Sequence, residues 1–511
     1  MKIALISPYL SIASHGIRSL SGYLKEKNVS VYVFFLCLEM DTLPSESLCK
    51  KLLCLLKANN VDLIGVSLST NYFNIAKTLT GYIKGRLDVP IVWGGIHPTI
   101  VPEECLEFTD MVCIGEGESS LLELCTRISE GRDYSDVSNL CLKSNEEVRK
   151  NSLAPLIQDL DSLPFPDYDF IGHFVWDRND FYPVNETLFK KYQYIPDRYE
   201  TLGSRGCPYQ CSYCCNNMLH KLYGSKGFLR RRTSESIIRE LEGVRHRFPF
   251  IKSIYFDDDA MFSRTIEEIE LFCRLYKEKV GLPFRVSGVH PLALTKEKLK
   301  LFVNAGLKQL KMGIQTGSSK TSRLYNRGNI SRDKIIDTTN IINSFKRELE
   351  PPIYDFILDN PYERDYDLVE SLKLLIDIPK PYELSLFSLT FFPGNDITDK
   401  ALKEGIIKKE RNNAYLKDHN QPSLGYFNAL FRFFESYNCP LWIKNILLDK
   451  RVIKSKIYIV FFFVIKGIQF TARFKIMSIK LAGDLLHFDF SRIKRKFAKF
   501  TSRIHGRHFE T

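Results

Sequence analysis

Short apolar runs alternate with helical patterns along residues 1–145. Five apolar runs flanked by turn residues predict strands, at KIALISPYL, VSVYVFFL, DLIGVSLST, PIVWGG and MVCIGEGE. Apolar residues recurring every three or four positions predict helices over 17–27, 48–58, 72–86 and 119–130. Because alternating strands and helices join through right-handed crossovers, this region predicts an α/β, Rossmann-like domain with a doubly wound parallel sheet. Such sheets bind ligands outside the carboxyl ends of their strands.

Residues 146–199 predict a connector, and residues 200–410 predict a second α/β domain. The connector contains LDSLPFPDYDF, whose two prolines exclude a long helix. Six further strands are predicted at TLGSRGC, SIYFDDD, FRVSGV, LKQLKMGIQTG, IYDFILDNP and ELSLFSLTFFPG. Helical segments separate them, so the pattern predicts a partial (β/α)6, TIM-like barrel. Polar residues gather where its strands end, which is where barrel enzymes place their sites.

Residues 411–511 predict a basic, mainly helical C-terminal region. The chain has a net charge of +12, and residues 441–511 hold 16 Lys and Arg against 4 Asp and Glu. The first 440 residues contain 56 of each sign. The run IYIVFFFVI is short for a transmembrane helix, which needs about 20 apolar residues. An interfacial helix on anionic lipid, a helical lid with a solvated basic face, and nucleic-acid binding stay open, although no RNA-binding module is recognisable.

Composition narrows the class of protein. Apolar residues make up 44% and charged residues 26% of the 511 positions, as in a globular protein with a large core, so disorder and collagen-like structure are excluded. The N-terminus has no signal-peptide pattern. We therefore expect a cytoplasmic protein, in which clustered cysteines indicate metal binding or catalysis rather than disulfides.

One short loop carries the strongest chemical signal. The stretch GCPYQCSYCCNN places four of the 13 cysteines within nine residues. The spacing Cys207-x3-Cys211-x2-Cys214 suits a four-iron cluster with one open iron, because such clusters are held by thiolates. A zinc site would need a fourth ligand, for which His220 is the available residue. Cys215 lies outside the spacing and is expected to be structural or to neighbour the ligands.

The cysteine spacing, with the aromatic Tyr213 before the last cysteine, resembles the signature of the radical S-adenosylmethionine (SAM) superfamily. The resemblance implies that Cys207, Cys211 and Cys214 hold a 4Fe-4S cluster whose open iron binds SAM. It also implies reductive cleavage of SAM, with electrons from an external donor of the flavodoxin or ferredoxin type.

Other strand ends in the barrel resemble the SAM-binding motifs of that superfamily. Three consecutive carboxylates end the second barrel strand, and GIQTGS ends the fourth, with Gln315 where relatives carry Glu. The SAM-binding residues that the resemblance implies are Tyr213, Asp257, Asp258, Asp259, Ser287, Gly313, Gln315, Thr316 and Gly317.

The first domain resembles the cobalamin-binding domain joined to one class of radical SAM enzymes. The similar runs are VSLST, VWGGIHPT, GEGES and the linker LPFPDYD, so the whole resemblance extends from residue 1 to about residue 400. It implies cobalamin contacts at Ser67, Gly94, Gly95, His97, Gly115, Glu116 and Gly117. Many cobalamin domains ligate cobalt through Asp-x-His-x-x-Gly. The loop around His15 lacks that Asp and Gly, so we do not expect His15 to ligate cobalt.

The resemblance implies an enzyme that transfers a methyl group to an unactivated carbon. Cyclisation or rearrangement with the same cofactors is the alternative, since the cyclase of chlorophyll precursors has a similar domain order. A non-catalytic cobalamin or redox sensor is a third hypothesis. We expect a small-molecule, hydrophobic or lipid-like substrate and a peripheral contact of the basic tail with the inner membrane surface. Nucleic acid is not an expected partner.

Overall fold

A computed structural model describes residues 1–144, 147–408, 414–415, 418–455 and 457–469. The chain divides into two compact units, Met1–Pro422 and Ser423–Thr511. The first unit contains two large sheets, each with its own helices, and therefore holds both predicted α/β regions.

The first sheet has nine strands in the order β7-β6-β5-β4-β3-β1-β2-β8-β9. Their bounds are β1 (Lys2–Ser7), β2 (Ser30–Phe35), β3 (Leu63–Ser67), β4 (Ile91–Gly94), β5 (Met111–Cys113), β6 (Leu140–Ser144), β7 (Glu147–Lys150), β8 (His173–Asp177) and β9 (Asp180–Pro183). Strands β5, β4, β3, β1, β2 and β8 pair in parallel, and the remaining pairs are antiparallel. The predicted doubly wound sheet is confirmed.

Amphipathic helices cover this sheet because their apolar faces complete its core. Their bounds are α1 (His15–Glu26), α2 (Glu46–Ala58), α3 (Phe73–Lys84), α4 (Ile96–Ile100), α5 (Pro102–Cys105) and α6 (Glu118–Ser129). Trp93 and Phe73 pack edge to face in that core, with ring centroids 5.9 Å apart. The first turn of α2 is closed by Ser45, whose side chain accepts a hydrogen bond from the Leu48 amide.

The segment predicted as a connector contributes β7, β8, β9 and the helix α7 (Glu186–Tyr192). Its Pro-rich part lies against α1, where the Arg18 guanidinium donates to the Asp167 carbonyl and the Ser21 hydroxyl donates to the Asp167 carboxylate. The connector therefore both extends the first sheet and leads into the barrel.

The barrel region contains eight strands and the helices between them. Its strands are β10 (Arg198–Thr201), β11 (Ser204–Arg205), β12 (Arg230–Arg231), β13 (Ser253–Phe256), β14 (Phe284–Val289), β15 (Leu307–Gln315), β16 (Ile353–Leu358) and β17 (Glu383–Ser388). Its helices are α8 (Cys215–Tyr223), α9 (Ser234–Arg247), α10 (Ile266–Lys279), α11 (Lys296–Ala305), α12 (Ser319–Leu324), α13 (Arg332–Asn343), α14 (Asp365–Asp377) and α15 (Asp396–Lys403).

Six of these strands form a fully parallel sheet in the order β10-β13-β14-β15-β16-β17, as the partial (β/α)6 barrel predicts. Side chains alternate between the two faces of each strand. On β15, Leu310, Met312 and Ile314 are buried, whereas Lys311 and Gln315 are half-buried. The half-buried row faces the concave lumen, and the strand ends carry the candidate site.

The second unit is helical over its described part. It contains α16 (Tyr426–Ser436), α17 (Leu441–Leu447), α18 (Lys450–Lys454) and a helix over residues 457–469. Within the described ranges, every helix is too short or too polar to cross a membrane. The basic residues between 473 and 507, which belong to the predicted basic C-terminal region, lie outside the described residues.

Candidate cluster, SAM and cobalamin sites

The cysteine loop lies between β11 and α8, and local backbone geometry fixes its path. Gly206 has a φ of +88°, and a Cβ there would lie 2.5 Å from the Phe228 carbonyl oxygen. The Ser212 amide donates to the Tyr325 carbonyl at 3.1 Å, and the Asn217 side chain donates to the Gln210 carbonyl at 3.1 Å. The loop is therefore tied to the barrel before any ligand binds.

The three predicted ligands face the same region but do not converge on one point. Cys211 is buried, and Cys207 and Cys214 are half-buried. Their three sulfur atoms do not all lie within 4.8 Å of one another. Tetrahedral zinc would hold its sulfurs about 3.8 Å apart, because Zn–S bonds are about 2.3 Å long. A four-iron cluster instead takes each thiolate on a different iron, so the spread fits a cluster better than zinc.

His220 does not supply a fourth ligand. One ring nitrogen, Nε2, is 2.7 Å from the Cys207 carbonyl oxygen, and Nδ1 is 3.1 Å from the Ser225 hydroxyl. Both nitrogens are therefore engaged in positioning the loop. The zinc alternative loses its fourth ligand for this reason.

The surroundings of the thiols differ from one another. Cys214 is the N-cap of α8, and a hydrogen bond from the Cys215 thiol lowers the pKa of Cys214. Burial raises the pKa of Cys207 to about 12. A thiol that coordinates a metal is deprotonated outright. Iron binding would therefore offset the cost that burial places on the Cys207 thiolate.

The three consecutive carboxylates after β13 have different surroundings. Asp257 and Asp259 are exposed. Asp257 accepts a hydrogen bond from the Ser287 hydroxyl at 2.9 Å, and Asp259 accepts one from the side-chain amide of Asn216 at 3.0 Å. Asp258 is buried, and its carboxylate accepts from the Gly203 amide at 2.6 Å and from the Ser204 hydroxyl. Asp258 thus holds the chain that enters the cysteine loop and does not face the lumen, contrary to the predicted SAM contact.

The end of β15 is strained and incompletely hydrogen-bonded. Gln315 has a φ of +73°, and its buried Oε1 has no hydrogen-bond partner among the described residues. A Cβ on Gly313 would lie 2.5 Å from the Gln315 Nε2, so the amide folds back over that glycine. An unpaired buried acceptor costs about 1–3 kcal/mol, which a ligand donor would recover. Backbone strain of this kind concentrates at ligand sites.

Thr316 and Gly317 point away from this position. The Gly317 amide donates to the Ser371 hydroxyl of α14 at 2.8 Å, and the Thr316 hydroxyl is 3.2 Å from the same oxygen. A Cβ on Gly317 would lie 2.6 Å from the Ser371 Cα. These two residues therefore anchor the strand end to α14, which is a supporting role that the motif did not indicate.

Five of the predicted cobalamin residues meet at one cavity of about 50 Å³ at the carboxyl edge of the first sheet. They are Ser67, Gly94, Gly95, Gly115 and Gly117, and the apolar part of the wall comes from residues including Leu5, Ile17, Leu20 and Leu121.

Two of the glycines in this wall have no room for a side chain. Gly95 has a φ of +96°, and its Cβ would lie 2.8 Å from the Leu68 carbonyl oxygen. Gly115 has a φ of +77°, and its Cβ would lie 1.6 Å from the Tyr223 hydroxyl oxygen. The wall of glycines and apolar side chains with a serine at one edge leaves room for a flat ligand. That these residues contact cobalamin stays a prediction.

His97 and Glu116 do not line this cavity. The His97 side chain is fully buried in the core, with its ring against Phe73 and Tyr415 at 5.1 and 5.4 Å, and burial lowers its pKa to about 4. Glu116 forms ion pairs with Arg205 and Arg230 of the β11–β12 hairpin. Both residues are close in sequence to residues that line the cavity. Helix α4 directs the His97 side chain into the core, however, and the ion pairs hold the Glu116 side chain against the β11–β12 strand pair.

His15 begins α1 and lines a separate cavity of about 60 Å³, whose other walls include Thr201, Ser204 and Arg205. Its Nε2 is buried without a hydrogen-bond partner among the described residues. The expectation that it does not ligate cobalt stays a prediction.

Several residues that shape these sites carried no sequence signal. Thr99 donates to the Gly95 carbonyl at 2.8 Å and accepts from the Gly115 amide at 2.9 Å, so it joins two walls of the cobalamin cavity. Tyr209, within the cysteine loop, stacks on His290 with ring centroids 3.6 Å apart. The guanidinium of Arg327 reaches the Cys211 sulfur at 3.6 Å. These contacts join distant parts of the chain, so no local spacing reveals them.

Family models match two regions of the chain. The B12 binding domain model matches residues 1–125, and the radical SAM superfamily model matches residues 201–375. The chain belongs to the radical SAM superfamily and carries a B12-binding domain. It is a cobalamin-dependent radical SAM enzyme, whose cofactors are a 4Fe-4S cluster, SAM and cobalamin.

Relatives of the radical SAM enzyme include more than one reaction type. An uncharacterized methyltransferase of Pyrococcus horikoshii is 25% identical over 358 residues, covering 69% of this chain and 72% of its own length. An anaerobic magnesium-protoporphyrin IX monomethyl ester cyclase of Synechocystis is 24% identical over 337 residues, covering 64% and 61%.

Two solved structures share the fold. The methyltransferase TsrM of Kitasatospora setae aligns with a TM-score of 0.63 at 17% identity, covering 79% of this chain and 76% of its own. The cobalamin-dependent radical enzyme OxsB aligns with a TM-score of 0.57 at 18% identity, covering 79% and 55%.

Proposed function

We propose that this enzyme transfers a methyl group to an unactivated carbon of a small-molecule substrate. The observation that carries the proposal is the direct link between the two cofactor sites. Helix α8 starts at the cysteine loop and ends at Tyr223, whose hydroxyl packs on Gly115 of the cobalamin cavity. Nine helical residues span about 13 Å, so one rigid element connects the two sites.

The cofactors supply the difficult chemistry, since a reduced cluster cleaves SAM and cobalamin carries a methyl group. The protein's part is to bind and orient them. Cys207, Cys211 and Cys214 would hold the cluster. Asp257, after β13, and Gln315, at the end of β15, offer oxygens to the polar groups of SAM, and Asp259 lies beside the cysteine loop.

The lumen also indicates the character of the substrate. Lys311 and Asp355 lie on adjacent strands with Nζ and Oδ1 3.3 Å apart, and burial raises the pKa of Asp355 to about 6. The Lys311 ammonium lies 5.0 Å from the ring centre of Phe387, and Ile353 and Ile357 share the same face. This surface supports a largely apolar substrate with one polar group directed at the Lys311–Asp355 pair.

The products formed from SAM test the proposal. The full-length enzyme, reconstituted without oxygen and supplied with hydroxocobalamin, would be incubated with SAM and dithionite. Methyl transfer predicts both 5′-deoxyadenosine and S-adenosylhomocysteine, because one SAM gives the radical and another gives the methyl group. A variant with Cys207, Cys211 and Cys214 changed to Ala is the control that should form no deoxyadenosine. Deoxyadenosine without S-adenosylhomocysteine would contradict methyl transfer.

Cyclisation or rearrangement is the second candidate, and the similarity to the Synechocystis cyclase supports it. It would consume SAM only through 5′-deoxyadenosine, so the same assay separates the two reactions. A non-catalytic sensor would form neither product. An external one-electron donor of the flavodoxin or ferredoxin type serves any of the catalytic schemes.

We also propose that the helical second unit contacts anionic membrane surfaces. Its apolar side chains Leu441, Trp442, Val460 and Phe463 are 59%, 64%, 63% and 67% exposed. Basic residues lie close to them in sequence, and exposed aromatic and cationic groups suit a lipid interface. Sedimentation with phosphatidylserine vesicles should carry the protein down at low salt and release it at high salt. No binding at low salt would contradict this contact.

A further inference from the structure

Arg327 is a buried cation beside the cysteine loop. Arg327 follows α12, and its exposure is 5%. No carboxylate of the described residues forms an ion pair with its guanidinium. The buried Arg230 and the half-buried Arg205 are instead paired with Glu116. Burying a charge is costly unless an opposite charge accompanies it. The position therefore favours a negatively charged group held close to the guanidinium.

The contacts of the guanidinium indicate where that anion lies. One amino group, Nη2, donates to the Gly313 carbonyl at 2.7 Å, and the other, Nη1, lies 3.6 Å from the Cys211 sulfur. Other buried arginines without a carboxylate, Arg18 and Arg264, donate to backbone carbonyls instead. Arg327 differs from both because one amino group of its guanidinium contacts the sulfur of Cys211, a predicted cluster ligand.

Electrostatics gives this contact a functional consequence. A four-iron cluster held by three thiolates has a net negative charge, which grows by one when an external donor adds an electron. A fixed positive charge and an N–H···S hydrogen bond stabilise the reduced form more than the oxidised form. Hydrogen bonds to the sulfurs are among the features that set the potentials of such clusters.

We propose that Arg327 is the buried counter-ion of the cluster and raises its reduction potential. The inference rests on the proposed function, because it requires the cluster at Cys207, Cys211 and Cys214. The step is a one-electron reduction by the external donor, with no bond in the protein formed or broken. Arg327 acts through Cys211 and is a positioning residue rather than a catalytic one.

A redox titration without SAM tests the proposal. The full-length enzyme and its variants would be reconstituted with iron and sulfide, and reduction would be followed by electron paramagnetic resonance. Arg327→Gln should make reduction about tenfold less favourable, as expected for a lost charge-assisted hydrogen bond. For one electron, tenfold corresponds to a decrease of 59 mV in midpoint potential. Arg327→Lys keeps the charge and should lower the potential less.

The control is Arg323→Gln, on the exposed face of α12 four residues earlier, which should leave the potential unchanged. An unchanged midpoint in both Arg327 variants, at wild-type iron content, would overturn the proposal. So would weaker SAM binding by Arg327→Gln at an unchanged SAM-free potential, because SAM would then be the missing anion. A wild type that binds no four-iron cluster would instead overturn the proposed function itself.

Discussion

Replacing Gly115 with alanine should damage the cobalamin cavity through a single methyl group. The new Cβ would lie 1.6 Å from the Tyr223 hydroxyl oxygen and 2.8 Å from Cζ, so Tyr223 or the Gly115 loop must move. Forcing an extra methyl into a packed site costs about 1–3 kcal/mol. The φ of +77° adds about 1–2 kcal/mol for a residue with a side chain. We expect a total loss of about 2–5 kcal/mol.

Gly131→Ala is the matched control. Its φ is +63°, but no atom lies within 4 Å of the added Cβ, so only the backbone cost of about 1–2 kcal/mol applies. Urea midpoints of the variants would give the stability loss, and equilibrium dialysis would give hydroxocobalamin affinity. Gly115→Ala should bind hydroxocobalamin at least tenfold more weakly, because the displaced loop is part of the cavity wall. Gly131→Ala, on the loop after α6, should bind it as the wild type does.

A second substitution isolates the clash itself. Tyr223→Leu removes the ring that the new methyl group meets, so the double variant should be less destabilised than the sum of the single ones. The difference should be about 1–3 kcal/mol, which is the steric part of the cost. Additive effects, or equal losses in Gly115→Ala and Gly131→Ala, would refute the assigned contact between α8 and the cavity wall.

Further substitutions test the surroundings of His97, Gly206 and the carboxylates after β13. The pKa of His97 falls from 6.5 to about 4 on folding, so the unfolded chain binds the extra proton. Stability should therefore decrease by about 3 kcal/mol as pH falls from 6.5 to 4, and urea midpoints of His97→Phe should lack this component. Gly206→Ala should reconstitute with little iron, because its Cβ would meet the Phe228 carbonyl at 2.5 Å; wild-type iron content would contradict the loop geometry. Asp257→Asn should weaken SAM binding at normal iron content, whereas Asp258→Asn should reduce iron content; the reverse pattern would contradict their assigned surroundings.

The sequence pattern predicted the α/β core closely because period-two and period-3.6 signals are strong in buried elements. The predicted strand FRVSGV coincides with Phe284–Val289, and the predicted helix 119–130 matches Glu118–Ser129 to within one residue at each end. Strands β7–β9 in the connector escaped prediction. They are short strands at the two ends of the sheet, where the exposed positions of the edge strands β7 and β9 weaken the hydrophobic pattern.

Site residues whose role depends on the backbone were easier to predict from the sequence than those whose role depends on where the side chain points. That Gly94, Gly95 and Gly115 line a cavity was predictable, because a cavity wall at a strand end favours residues without side chains. His97 follows Gly94 and Gly95 in one motif, and Asp258 lies in the carboxylate run after β13, but both side chains are buried in the protein. Residues that contact the motifs, such as Arg327, are distant from them in the sequence, so only the fold brings them to the site.

Metal content tests the central claim most directly. The full-length protein would be purified without oxygen, reconstituted with iron, sulfide and hydroxocobalamin, and separated from unbound cofactors. Cluster and cobalamin sites in one chain predict about four irons and one cobalt per protein. Changing Cys207, Cys211 and Cys214 to Ala should remove the iron and leave the cobalt, and Cys215→Ala should retain both. Iron retained by the triple variant, or no cobalt in the wild type, would contradict the account.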